Sequence, residues 1–293
     1  MAKRSEIKPE QIKNNIMAVM DGAPRGMGAM VWWTLSAVDP AELRAAWEAE
    51  GLDVDMLPTT PLPQVALGRA CRQLAEQRRL VRPLEKRKGY SLVAEKAEGQ
   101  TLAYSQQVNV SVNPLGGLQI EPPTHELADT IRDEYARALD TLNVDDISEL
   151  LRCCVSSLRA VSLRNTGGIY FVPPSRVQEW GKISRAFRAA SKVLCWEVPA
   201  MKSDGAVEAI TNAVKDEANN VTRDLEQVLD EGTAGERALR NRISECEATE
   251  QKISEYEAFL GQKMEAVTAA LQALRARLTE AAMQAAEAAK EEA

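Results

Sequence analysis

The sequence predicts an α+β chain, mainly helical, built as two small α+β modules followed by a long antiparallel helical hairpin or coiled coil. Three observations predict this. An apolar seam recurs in alternating steps of four and three residues from Leu239 through Ile243, Cys246, Glu250, Ile253, Glu257, Leu260, Met264, Val267, Leu271 and Leu274 to Leu278. Ten of these twelve positions are apolar, the heptad pattern of a helix packed lengthwise on another. Aromatic residues are sparse at 4%, which favours helix packing over large sheets. The β-prone runs are short and each is bounded by turn residues. The proline pair Pro122-Pro123 and the later change to helical composition divide the chain at 1–122, 123–202 and 203–293.

In chain order, residues Ser5 to Met20 carry Ile12, Ile16 and Val19 on one helical face. The glycines of DGAPRGMGAM follow. They lack the Gly-Lys-Ser/Thr ending and the preceding strand of a phosphate-binding loop, so a flexible connector is the plainer expectation. Asp39-Pro40-Ala41-Glu42 is a capping box that starts a helix ending near Gly51. A proline-rich link leads to a helix from about Pro63 to Arg79, then a hairpin of Leu80–Leu84 and Tyr90–Ala94. A strand over Thr101–Val112, a turn at Asn113–Gly117 and a returning strand over Leu118–Glu121 complete the first module.

Helices from Thr124 and from the Asp145-Asp146 pair open the second module, the latter with a wide apolar stripe from Ile147 to Leu158. Ala160–Arg164 and Ile169–Pro173 around Asn165–Gly168 make a tight hairpin. A helix carrying Val177, Trp180, Ile183 and Phe187 and a strand over Val193–Val198 follow. The tail opens with a helix from Asp204 to Glu231, closed by Gly232, and Thr233 then caps the next. That second helix, read as continuous to about Lys290, is roughly 84 Å long against roughly 40 Å for the first. Beyond Leu260 its seam lacks a partner in the hairpin, and exposing Leu260, Met264, Val267, Leu271, Leu274 and Leu278 would forfeit about 1.5–3 kcal/mol per side chain. The seam must meet the chain's own globular part, break near Gly261 and fold back, or meet another chain. The expectation is a second copy or a partner helix. Glu250 and Glu257 on the seam either meet basic residues or point outward, with Thr249 and Tyr256 turned inward.

Charge separates the two ends. Ser203–Ala293 holds 19 acidic and 10 basic residues, while the rest of the chain is nearly balanced. Within that front part Arg69, Arg72, Arg78, Arg79, Arg82, Lys86, Arg87 and Lys88 face only Glu76 and Glu85. Such a cluster attracts phosphates, making nucleic-acid binding one expectation. A solvated face, or pairing with the acidic tail, is the other. Five cysteines form no CxxC pair, and four lie in apolar patterns, as expected of reduced thiols in a cytoplasmic protein. The N-terminus lacks the apolar centre of a secretory signal, and no run is long enough to span a membrane. His125 is the single histidine, and zinc spacing and nucleotide fingerprints are missing, so neither an enzyme nor a metal or cofactor is expected.

Two resemblances add to this. The order of three helices and a hairpin across about 5–96 resembles a winged helix, a fold that implies DNA contact through its third helix and its wing. The segment GGIYFVPPSRVQEW resembles a hairpin found in uncharacterised phage and plasmid proteins with helical tails, some encoded near AAA+ ATPases. That resemblance covers about 125–230. It implies a mobile-element origin and an AAA+ ATPase partner, but no activity and no functional residue. The expected function is therefore a non-enzymatic scaffold or adaptor, self-associating or binding a helical partner through its C-terminal helices. The alternative is a nucleic-acid-binding accessory or regulatory protein.

Overall fold

A computed structural model of the chain describes residues 26–75, 79–85, 89–98, 101–164, 168–232 and 234–291. The expected helix over Ser5–Met20 lies outside them. The described residues form two compact units that do not follow chain order: 26–32, 155–180 and 196–291 in one, 33–154 and 181–195 in the other. The expected consecutive modules 1–122, 123–202 and 203–293 are not these units. Strand pairing brings residues more than a hundred positions apart into one sheet, and the Pro122-Pro123 boundary falls inside a unit.

In the first unit a four-stranded sheet has the order β6-β7-β1-β8, from β1 (Ala29–Trp33), β6 (Val161–Ser162), β7 (Tyr170–Val172) and β8 (Cys195–Pro199). The expected Ala160–Pro173 hairpin is present as β6 paired antiparallel to β7. Its free side is taken by β1, which the sequence reading left unassigned. Gly28, at φ 137°, permits the approach: a Cβ there would sit 2.5 Å from the Phe171 ring and from the Val172 carbonyl. Against this sheet pack α6 (Asp204–Glu231), α7 (Glu236–Leu260) and α8 (Glu265–Glu291), in one core with Val161 and Phe171.

The single long tail helix is the main correction. Gly261 adopts a left-handed φ of 73°, and its N–H donates to the Glu257 carbonyl. That arrangement ends a helix. The chain turns and α8 folds back along α7, with Arg275 Nη1 3.4 Å from Glu250 and 3.6 Å from Glu247. Leu260, Met264, Val267, Leu271, Leu274 and Leu278, expected to face a partner, are each at most 9% exposed, inside the chain's own core. Glu257 holds the turn, accepting from Met264 N at 2.5 Å and from Lys263 Nζ at 3.0 Å. Tyr256 points inward, fully buried. The Glu250 and Glu257 alternatives therefore both hold in part.

A polar cluster ties sheet and helices together within this unit. Arg159, at φ 56°, offers its carbonyl to the Tyr256 hydroxyl at 2.9 Å, and its guanidinium pairs with Glu255. Lys252 Nζ donates to the Ala160 carbonyl at 2.7 Å and to Glu217 at 2.6 Å.

In the second unit, β2 (Arg79–Pro83), β3 (Gly89–Glu98), β4 (Thr101–Val112) and β5 (Leu118–Glu121) form an antiparallel meander. The expected hairpin and the next two strands are thus consecutive parts of one sheet. The hairpin that the winged-helix resemblance would make a wing is here extended by β4 and β5. One face packs on α2 (Pro63–Gln73) and α3 (Ala128–Leu139) through Leu67, Cys71, Leu92, Val108, Val110, Ile120 and Ile131. Elsewhere in this unit Trp47 of α1 (Pro40–Ala49) meets the Phe187 ring of α5 (Val177–Ala190) edge-on at 5.6 Å. Asp39 caps α1 as expected, accepting from Ala41 and Glu42 N–H. The cap of α4 (Val144–Ser157) is Asn143 rather than the Asp145-Asp146 pair; its Oδ1 accepts from both of their amides.

Candidate interaction surface

The basic residues of the front module do not form one row. Arg69, on α2, is committed to Asp146 at 2.7 Å and is largely buried. Arg72 Nε donates to the Gly68 carbonyl of its own helix. The two arginines share a cleft of about 510 Å³ with Gln73, Glu134, Arg137 and Asp145, where Glu134 answers Arg137 at 2.5 Å. Arg79 is not helical, because α2 ends at Gln73. On β2 Arg79 lies opposite Ala94 and Arg82 opposite Ser91. An odd spacing along a strand sends these two side chains to opposite faces. Arg78, Lys86, Arg87 and Lys88 lie outside the described residues. The structure therefore brings Arg69 and Arg72 together and sends Arg79 and Arg82 apart.

A different surface stands out, and it starts at a β-bulge. Leu92 pairs with Val108, but Val93 pairs with Gln106, so Gln107 is an extra residue in β4. Without it, Val112, Val110, Val108, Gln106, Tyr104 and Leu102 would alternate on one inward face. The inserted residue moves everything beyond it to the other face, which is how bulges re-aim side chains. Leu102 and Tyr104 then share the helix-free face with Ala97 and Glu95, their respective neighbours across the ladder.

Beyond Ala94 the two strands also stand alone among the described residues. The pairing of β2 with β3 ends at Ala94, and β5 pairs with β4 only from Asn109 to Val112. Residues 95–98 and 101–104 thus form a two-stranded arm, paired with each other and with no third strand on either side among the described residues. On it Leu102 is 56% and Tyr104 58% exposed. Such a ribbon is marginal without a further strand or helix beneath it.

In the first unit a second exposed group lies on β8: Trp196, 47% exposed, stacks on Trp32 with ring centroids 6.5 Å apart. Four cysteines are buried and their thiols held protonated: burial pushes Cys71, Cys154 and Cys195 up to about 12 and Cys246 up to about 11. His125 Nδ1 accepts from Leu127 N–H just before α3, a turn-forming role. No helix among the described residues is long and apolar enough to cross a membrane.

Together these features describe an α+β, mainly helical protein with two small antiparallel sheets, one of which projects a bare β arm. Within that class the chain belongs to DUF6744, a family of unknown function whose profile matches residues 26–288. No curated protein and no solved structure matches it.

Proposed function

We propose that this chain is a non-enzymatic protein-interaction module whose contact element is the β3–β4 arm, not the C-terminal seam. One observation carries the reading. Two large apolar side chains, Leu102 and Tyr104, stand more than half exposed on a ribbon with no further strand beside it among the described residues. Full burial of each would contribute on the order of 1.5–3 kcal/mol. A photo-crosslinking side chain at Leu102, introduced into the full chain in cells, tests it. The expected result is one defined adduct, absent when the same group replaces exposed Ser156. Adducts no different from that control would refute the reading.

A second reading, nucleic-acid binding, is favoured by Arg82, which is exposed on the helix-free face of the same sheet. It predicts salt-sensitive binding of short duplexes, weakened by Arg82→Glu. Absence of binding at low salt removes it.

A further inference from the structure

We infer that the free outer edge of β4 pairs with the same edge of a second copy of this chain, antiparallel about a two-fold axis at Tyr104. The inference rests on the arm being the contact element and names what it contacts.

The first argument comes from how edges are protected. An edge strand presents unpaired N–H and C=O groups, and folded proteins ordinarily guard such edges with charge or proline. The β3 side of the arm carries Glu95 and Lys96. The β4 side is unguarded: from Thr101 to Ile120 the chain has no charged side chain, and β4 itself has no proline. Among the described residues no strand lies beside its outer edge from Leu102 to Gln106.

The second argument is self-complementarity. A two-fold contact sets a surface against itself, so any charge near the axis would meet its own copy. A strand centred on Glu95 or Lys96 would therefore repel its mate, whereas Leu102-Ala103-Tyr104-Ser105-Gln106 does not. Centred on Tyr104, the pairing sets Ala103 against the partner's Ser105, small against small, and Leu102 against the partner's Gln106. The two Tyr104 rings become direct cross-strand neighbours, a favourable aromatic pair. Leu102 and Tyr104 of both chains then share one face, and the two sheets become continuous. The contact is short beside a standard interface of about 1,600 Å², so the dimer is expected to be weak, roughly micromolar or weaker.

Sedimentation velocity on the full chain over a wide concentration range tests this, with two charge variants. Wild type should shift from monomer to dimer as concentration rises. Tyr104→Lys and Tyr104→Glu should each weaken dimerisation about tenfold or more through like-charge apposition, and Tyr104→Lys, which faces Glu95 across its own ladder, should do so with unchanged melting. An equimolar mixture of the two should dimerise again. In a Cys153→Ser background, Tyr104→Cys should form an intermolecular disulfide on oxidation. A monomer at every concentration, a dimer indifferent to Tyr104→Lys, or a mixture that stays monomeric would each overturn the inference. A monomer whose Leu102 crosslinker still captures a different polypeptide would sink the self-pairing alone and leave the interaction reading standing.

Discussion

At the scale of single residues, stability in the first unit depends on a few buried polar groups whose partners are backbone carbonyls. Tyr256 is fully buried and its hydroxyl donates to the Arg159 carbonyl, while its ring meets Phe171 and Phe259. Tyr256→Phe keeps the packing and removes only the donor, so it should cost about 0.5–1.5 kcal/mol. Tyr256→Ala also opens a cavity and should cost about 3–5 kcal/mol. Urea unfolding of both variants measures the difference. Glu257 supplies a pH signature. The Met264 amide, and then Lys263, hold its carboxyl below the usual value of 4.5. A depressed folded-state pKa means stabilisation present above 4.5 and lost as pH falls through the lowered value. Glu257→Gln retains an acceptor for the amide but not the charge. Its deficit should therefore be small, under about 1 kcal/mol at pH 7, and should vanish in acid. Unfolding curves at a series of pH values check this; a deficit that persists unchanged in acid would contradict it.

At the scale of elements, the decisive position is Gly261. Its left-handed φ of 73° and its bond to Glu257 turn one expected helix into α7 and α8. A β-branched residue there is strained, so Gly261→Val should lower stability by about 1–2 kcal/mol or more, read as a fall in melting temperature. The break was legible as one of three options. Periodicity does not single it out, because the seam keeps its four-three phase straight through the link, from Leu260 to Met264 to Val267. Two helices reversing on a short turn face the same core, so periodicity alone does not separate them from one continuous helix. The strands fared better: β4 and β5 fall on the bounds that alternation and the Asn113–Gly117 turn predict. β1 was missed because its partners lie some 140 residues or more away. The arm was missed because one bulge at Gln107, which leaves no mark in composition, decides the face on which Leu102 and Tyr104 lie.

At the scale of the whole molecule, apolar surface that the sequence assigned to an outside companion is covered from within, and the exposed apolar surface lies elsewhere. Leu271 is fully buried. Leu271→Asp should therefore destabilise the first unit by several kcal/mol, since it buries an unpaired charge. It should not yield a folded protein that has merely lost a partner; circular dichroism and melting distinguish the two outcomes.

Amide hydrogen exchange on the dilute full chain tests the account most directly, because it reads the seam and the arm in one experiment. The prediction is slow exchange from Leu260 through Leu278 outside the Gly261 turn, with fast exchange from Leu102 to Gln106. Fast exchange along the seam together with a protected arm would contradict it.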